Sequence, residues 1–232
     1  MASVKDILAR LKANTRPDQI AGMARYGMTA EGRLGVSVPD MRKLAKEVGK
    51  DHSLALALWQ IEMPEARIVA AMIDDPKELT EAQMDDWVKD FNSWDVCDQV
   101  CMNLFEKTPL AWQKILDWAG QEKEFVKRAA FALLACLAWH DKKASDEQFV
   151  ALLPVIQREA TDERNMVKKA VNWALRNVGK RSLRLNQAAI ETAKEIRQMD
   201  SPAARWIASD AIKELESEAV QKRLNKGNAP GT

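Results

Sequence analysis

The chain has 232 residues, of which 47% are hydrophobic and 30% are charged, and its 35 Lys and Arg residues nearly balance its 34 Asp and Glu residues. This composition is too apolar for intrinsic disorder, and a net charge of +1 excludes a protein whose whole surface is basic. No stretch approaches the roughly 18 consecutive apolar residues of a membrane span, and charges interrupt the amino-terminal segment too often for a signal peptide. We therefore expect a cytoplasmic protein with no membrane partner.

Apolar residues recur at three- and four-residue spacing along nearly the whole chain, as in DILARLKA, VPDMRKLAKEVG and MVKKAVNWALRNVG. This spacing predicts helices, about ten or more, and no segment shows the alternation of a strand. Capping and terminating residues predict helix starts at Ser37, Thr80 and Ser145, and helix ends at Gly49, Gly120 and Gly179.

A repeat is visible in the second half of the chain. The segment VKRAA at Val126 matches VKKAV at Val167, an offset of 41 residues. This offset falls within the period of roughly 40–47 residues that is typical of HEAT and armadillo helical hairpins. The sequence thus predicts an all-α protein, a right-handed helical-repeat superhelix of the HEAT-like or armadillo-like kind. We expect residues 1–224 to form one domain, and residues 225–232, which are polar and rich in Gly and Pro, to form a flexible tail.

The balanced net charge hides two strongly biased segments. Residues 74–98, the acidic segment, contain nine acids and two bases, whereas residues 158–184, the basic segment, contain eight bases and three acids. A basic stretch on successive helices is suited to backbone phosphates, and Lys168, Lys169 and Arg176 are the candidates here. Two solvated helix faces of opposite charge are an equally good explanation.

The sequence offers little for metal, disulfide or nucleophile chemistry. Cys97, Cys101 and Cys136 form no CxxC pair and are expected to be reduced, buried thiols. The pair Asp74 and Asp75 precedes Pro76 and is expected to cap or turn the chain rather than to bind a metal. Hydrolase, kinase and dinucleotide motifs are lacking as well, so no metal and no cofactor is predicted.

Two tryptophans have neighbours suited to a charged ligand. On a helix, Trp94 and Asp98 lie on one face, where an indole and a carboxylate side by side form a site for a cation. Asp95, next to them, is offset by about 100° and is free to pair with a basic side chain. Trp173, on the basic segment, is a candidate for packing on a sugar or base. For both tryptophans, packing in the core is the alternative explanation.

These residues resemble the AlkD-type DNA alkylation-repair glycosylases, a family of HEAT-like helical repeats. The resemblance spans nearly the whole chain, roughly residues 7–215. It rests on Tyr26 and four segments, residues 35–42, 94–98, 127–130 and 170–176.

The resemblance implies an enzyme that hydrolyses the N-glycosidic bond of cationic N3- or N7-alkylated purines, such as 3-methyladenine and 7-methylguanine, in double-stranded DNA. It implies that the lesion is bound without being flipped into a pocket. Asp98 is then the catalytic carboxylate, and Trp94, Trp173 and Tyr26 contact the lesion-bearing nucleotide. Arg128 holds the DNA backbone near the lesion or else pairs with a neighbouring acid, and its neighbour Lys127 is a further candidate for DNA contact.

Two other functions remain open at this point. One is a non-catalytic helical-repeat protein that binds distorted or branched DNA. The other is a protein-binding solenoid adaptor, which would show no affinity for DNA. No obligate protein partner is inferred.

Overall fold

The computed structural model describes residues 2–227, and within them the chain folds into α-helices, one short 3-10 helix and no strand. The helices of the first half are α1 (Val4–Ala13), α2 (Pro17–Arg25), α3 (Val38–Val48), α4 (His52–Trp59), α5 (Pro64–Ile73), α6 (Glu81–Lys89) and α7 (Trp94–Asn103), followed by the 3-10 helix (Phe105–Lys107). Those of the second half are α8 (Ala111–Ala119), α9 (Glu124–His140), α10 (Asp146–Val150), α11 (Leu153–Glu159), α12 (Asn165–Gly179), α13 (Leu183–Arg197), α14 (Pro202–Leu215) and α15 (Glu218–Gly227). The all-helical prediction is confirmed.

The predicted helix starts are confirmed by their capping hydrogen bonds. The Ser37 hydroxyl accepts from the backbone N–H of Asp40 at 3.3 Å, and the Thr80 hydroxyl accepts from that of Gln83 at 3.1 Å. Ser145 precedes α10 and takes part in a capping box. Each cap satisfies an N–H that the first helical turn leaves without a partner.

Of the glycines predicted to end helices, Gly179 behaves differently from the others. Gly49 follows α3 with a φ of 82°, the left-handed conformation that favours glycine, and Gly120 follows α8. Gly179 is instead the last residue of α12 and is buried. A Cβ atom there would lie 2.7 Å from both methyl carbons of Leu215. The position therefore requires glycine because of close packing.

The chain divides into two compact units, Met1–Ala111 and Trp112–Thr232. In the first unit, α5 packs against α3, α4 and α7, and nearly every residue of α5 is buried. Its aromatic core includes Trp59 and Trp87, stacked with ring centroids 3.8 Å apart. This packing stabilises α7, the helix that contains Trp94 and Asp98.

In the second unit, α12 packs against α9, α13 and α14. Val126 and Val167 are each the third residue of their helix, so the sequence repeat places equivalent residues of α9 and α12 side by side. Hydrogen bonds join the helices at a spacing close to that of the repeat: Asn177 Nδ2 donates to the Ala135 carbonyl, 42 residues earlier, and Asn172 Nδ2 donates to Asp210, 38 residues later. The repeat is therefore present in the packing as well as in the sequence.

The carboxyl terminus differs in part from the expectation. Helix α15 continues to Gly227, so the first residues of the predicted 225–232 tail are helical. Residues 228–232 lie outside the described residues. The single domain predicted for residues 1–224 stays a prediction.

Candidate nucleic-acid interface

Trp94 and Asp98 lie one turn apart at the start of α7, as the sequence predicts. Trp94 is the first residue of the helix and is partly buried, whereas Asp98 keeps only 9% of its surface exposed. The same helix places Cys97 and Cys101 fully in the core, as predicted, and neither forms a disulfide. The carboxylate of Asp98 thus lies at the edge of the core, one turn from the indole of Trp94, and a role for the two in binding a cation stays a prediction.

The loop between α2 and α3, residues 26–37, is joined to the start of α7 by hydrogen bonds. The indole Nε1 of Trp94 donates to the backbone carbonyl of Tyr26 at 2.9 Å. The backbone N–H of Thr29 donates to the hydroxyl of Ser93 at 3.1 Å. The Tyr26 side chain itself remains 76% exposed. Tyr26, Trp94 and Asp98 are thus brought into one neighbourhood of the first unit.

Arg33 and Asp95 hold this loop and helix together. Arg33 donates from Nη1 and Nη2 to the two carboxylate oxygens of Asp95, at 2.8 and 3.0 Å, and its Nε donates to the Thr29 carbonyl at 2.6 Å. The side chains are only 2% and 11% exposed. A bidentate pair of this kind is among the stronger hydrogen-bonded contacts in proteins. Asp95 therefore pairs with a basic side chain, one of the roles left open for it by the sequence.

Arg33 could not be predicted from the sequence because no local pattern points to it. Its partner is 62 residues away, and neither residue belongs to a periodic motif that includes the other. The only sequence signal of such a partner was Asp95 itself, an extra acid in the first turn of α7. A buried carboxylate without a compensating partner is costly, so this acid calls for a basic side chain nearby.

In the second unit, Trp173 is partly buried and lines an open cleft of about 960 Å³. Of the two lysines before it, Lys169 is exposed, and Lys168 places its ammonium 5.2 Å from the ring centre of Trp206. The two lysines place positive charge on the helix that contains Trp173, and contact of these three residues with DNA stays a prediction.

The other three predicted DNA contacts have partners inside the protein. Lys127 Nζ lies 2.6 Å from Glu159 and 3.2 Å from Asp162. Arg128 is 5% exposed, and its Nη1 donates to the carbonyl of Met166 at 2.7 Å. Arg176, also partly buried, lies 2.5 Å from a carboxylate oxygen of Glu214. All three stabilise the packing of the unit, and contact with DNA stays a prediction for each.

The net charge of the basic segment therefore overstates its positive surface. Acids from other helices meet its cations: Glu214 of α14 pairs with both Arg176 and Lys180, and Glu147 of α10 pairs with Arg184. Charge counted along a segment omits such partners because they are distant in sequence.

One of the acids inside the basic segment is strongly held in its charged form. Burial by itself raises the pKa of Asp162, but hydrogen bonds from Arg164 and Lys127 outweigh it and lower the pKa from 3.8 to about 2. The Asp162 carboxylate lies 2.5 Å from Arg164 Nη2. At neutral pH this acid therefore cancels positive charge and fixes the start of α12.

The pair Asp74 and Asp75 turns the chain, as the sequence predicts. Asp74 is fully buried and contacts His52 Nδ1 at 2.6 Å and Gln83 Nε2 at 2.7 Å. Asp75 accepts from the backbone N–H of Lys77 at 3.0 Å. Within residues 2–227 no cluster of metal-ligating side chains occurs, and no helix there is long and apolar enough to cross a membrane.

The model of one protein family, described as DNA alkylation repair enzyme, matches residues 7–215. The chain belongs to this family. Among curated proteins, none matches the chain significantly. For this member of the DNA alkylation repair family, the match covers the candidate residues of both units, from Tyr26 to Arg176.

A solved structure is similar over nearly the full length. It is described as representing a new family of proteins related to the HEAT-like repeat DNA glycosylases with affinity for branched DNA structures. The TM-score is 0.77 at 21% identity, and the match covers 97% of this chain and 95% of the other. The likeness confirms the HEAT-like helical-repeat fold for this DNA alkylation repair family member.

Proposed function

We propose that this protein is a DNA glycosylase that excises cationic N3- or N7-alkylated purines, such as 3-methyladenine and 7-methylguanine, from double-stranded DNA. The observation that supports this most is the carboxylate of Asp98 one helical turn after the indole of Trp94, at the edge of a buried helix. Membership of the DNA alkylation repair family supports it independently. With such a substrate we expect the protein in the cytoplasm.

The proposed chemistry needs only a well-placed carboxylate and water. Alkylation at N3 or N7 gives the purine a positive charge, so that the base leaves as a neutral molecule when the C1′–N bond breaks and takes the bonding electrons. Positive charge then develops on the sugar. The Asp98 carboxylate stabilises that charge and orients a water molecule, which adds to C1′ and releases a proton. The products are the free base and an abasic site, and no cofactor takes part.

The aromatic side chains are proposed to bind the lesion-bearing nucleotide. The ring of Trp94 offers its negative face to the cationic nucleotide, and the hydrogen bond from its Nε1 to Tyr26 fixes the indole. Tyr26 is exposed and adds surface beside it. We propose that Trp173 contacts the same duplex, and that the lesion is bound without flipping into a closed pocket.

Lys168 and Lys169 are proposed to contact DNA phosphates. Both lie on α12, where Lys169 is exposed and the Lys168 ammonium, near the Trp206 ring, is also close enough to Glu163 to lower the pKa of that carboxyl. The same interface is proposed to include Lys127, Arg128 and Arg176. With their protein partners, these residues maintain the packing of α9 and α12 and act on the interface through it.

Release of free base from DNA containing 7-methylguanine tests the proposal. Wild-type protein should release the base, and Asp98→Asn should slow release about 100-fold or more, as is typical when a charge-stabilising group is removed. DNA affinity should be similar or higher, because the variant removes a negative charge. The matched control is Asp86→Asn on α6, whose carboxylate is exposed and pairs with Lys89. Unchanged release by Asp98→Asn would exclude that residue from catalysis.

A second candidate function is binding of branched DNA without excision. The similar solved structure is described as one of proteins with affinity for branched DNA. This function predicts tighter binding to a four-way junction than to a duplex of equal length, together with no release of 7-methylguanine. Measuring both quantities on the same preparation separates the two functions, and a protein with no affinity for either DNA contradicts both.

A further inference from the structure

The cleft beside Trp173 contains a second tryptophan that no proposed catalytic step uses. Trp139 lies at the end of α9 and lines the same cleft. Its side chain is 56% exposed, which is unusual for a residue this large and apolar. The indole stacks on the His140 ring with centroids 4.9 Å apart, so a ligand in the cleft would stack on its other face.

Three cations of the cleft lining form no ion pair with a carboxylate among residues 2–227: Lys142, Arg181 and Arg223. Arg181 donates to the backbone carbonyls of Ala144 at 2.7 Å and Ala138 at 3.3 Å. Arg223 donates to the carbonyl of Lys180 at 2.8 Å. A carbonyl oxygen orients a guanidinium but does not cancel its charge, so the cleft keeps a positive potential.

Lys142 is oriented in the same way, because its ammonium donates to the backbone carbonyl of Trp139 itself. The remaining charged groups of the lining are Lys180, which pairs with Glu214, and Asp146, which accepts from the Ser182 hydroxyl at 2.5 Å. Positive charge is therefore in excess, and it lies next to the exposed ring.

We propose that this cleft binds an unpaired nucleotide of a DNA strand. Its base stacks on Trp139, and its phosphate is held by Lys142, Arg181 and Arg223. The combination of an aromatic face and uncancelled cations is what a nucleotide requires, because every base offers a flat face and every phosphate a negative charge. A purely apolar partner would leave the cations unsatisfied, and a fully paired duplex would keep its bases away from the ring.

This proposal rests on the proposed binding of DNA, but it is independent of base excision. The cleft would be a subsite beside the proposed contact of Trp173 with the duplex. This subsite would prefer DNA in which one base pair is disrupted. Both a glycosylase and a binder of branched DNA would use such a subsite, since each meets nucleotides that have lost their partner.

The test uses two duplexes that differ only in the pairing of one 2-aminopurine, a fluorescent base whose emission falls when it stacks on an indole. One duplex places it in a normal pair and the other leaves it unpaired. The full-length protein should quench the unpaired base and bind that duplex more tightly. Trp139→Ala should lower affinity for the unpaired duplex by about fivefold or more, as expected when a base loses a stacking partner, and should leave the paired duplex nearly unchanged.

Matched variants distinguish stacking from general effects. Trp139→Phe keeps an aromatic ring and should retain most of the quenching. Leu116→Ala removes an exposed apolar side chain of the same unit outside the cleft lining, and should change neither duplex. Lys142→Ala and Arg223→Ala should each reduce by about one the slope of log affinity against log salt concentration.

The outcomes also separate this proposal from the proposed function. Equal losses for both duplexes with Trp139→Ala, or quenching that survives it, would overturn the nucleotide subsite while leaving base excision intact. Failure to release 7-methylguanine, combined with Trp139-dependent binding of the unpaired base, would overturn the glycosylase and leave the subsite intact. Absence of any DNA binding overturns both.

Discussion

The guanidinium of Arg33 donates two hydrogen bonds, of 2.8 and 3.0 Å, to the carboxylate of Asp95, and both groups are almost fully buried. This ion pair joins the loop between α2 and α3 to the first turn of α7. Because Trp94 and Asp98 flank Asp95 on this helix, the ion pair helps to position both the proposed lesion-binding indole and the proposed catalytic carboxylate.

Removing one partner of this ion pair should be strongly destabilising. We expect Arg33→Met to lower the free energy of unfolding by about 3–5 kcal/mol, because the Asp95 carboxylate would stay buried without its partner. Arg33→Lys should cost less, since it keeps the charge but loses the bidentate geometry. Urea unfolding measures both. The double variant Arg33→Met with Asp95→Leu should be more stable than Arg33→Met alone, and an equal or lower stability would contradict this explanation.

The Trp94 side chain, which donates to the Tyr26 carbonyl, should matter more for the proposed activity than for the stability of the fold. Trp94→Phe keeps a ring but removes the Nε1 donor, so we expect a loss of about 0.5–1.5 kcal/mol in stability. Base release should fall more with Trp94→Ala than with Trp94→Phe, because only the former removes the aromatic face. Release assays at saturating DNA, corrected for the folded fraction, check this order. Equal rates for the two variants would show that the ring takes no part.

From the lowered pKa of Asp162 we expect the free energy of unfolding to decrease in acid. Its pKa is about 2 in the folded protein and 3.8 ordinarily, so the folded state binds fewer protons between these values. The stabilisation is complete above about pH 4 and is lost as the pH falls towards 2. Since the group is partly screened by solvent, its contribution is on the order of 1 kcal/mol.

Unfolding of Asp162→Asn as a function of pH measures this contribution. The variant should be less stable than the wild type at neutral pH, and the difference should shrink between pH 4 and 2. A difference that stays constant over that range would show that the charge of Asp162 contributes nothing.

Close packing at Gly179 predicts a size limit at that position. Gly179→Ala would place a Cβ atom 2.7 Å from Leu215 and 2.9 Å from the Ala189 Cβ atom, so we expect a loss of about 1–3 kcal/mol from overpacking. The matched control is Gly22→Ala within α2, where a Cβ atom meets nothing within 4 Å. That change should stabilise the protein by up to about 1 kcal/mol.

A double variant checks the cause of the Gly179 effect. Leu215→Ala removes the two methyl groups that a new Cβ atom would meet, so the loss caused by Gly179→Ala should be smaller in that background. Thermal or urea unfolding of the four proteins gives the coupling. Simple additivity would mean that Leu215 is not the obstacle.

The lysines of α12 predict a salt-dependent DNA affinity. Replacing both Lys168 and Lys169 with Ala should weaken duplex binding and lower the salt slope by about two, because each phosphate contact releases one counterion. Lys194→Ala on α13 is the control, as it removes an exposed lysine of the same unit. If the double variant keeps the wild-type slope, these lysines do not contact phosphate.

The sequence by itself determined the helical repeat and the candidate residues. Apolar spacing indicated helices, and the offset between Val126 and Val167 predicted that α9 and α12 occupy equivalent positions. The four-residue spacing of Trp94 and Asp98 predicted their shared neighbourhood. These features follow from contacts within a turn or between successive repeats, which are visible in a linear pattern.

Tertiary structure alone decided which charges are displayed and which are cancelled. Arg33 meets Asp95 across 62 residues, and Glu214 neutralises Arg176 across 38, so neither pairing follows from local composition. Conversely, the guanidinium groups of Arg181 and Arg223 donate to backbone carbonyls, which are neutral and leave the positive charge uncancelled. Electrostatic interactions depend on distance in space, and a charge count along the chain therefore describes the protein's net charge but not the surface that a DNA strand would meet.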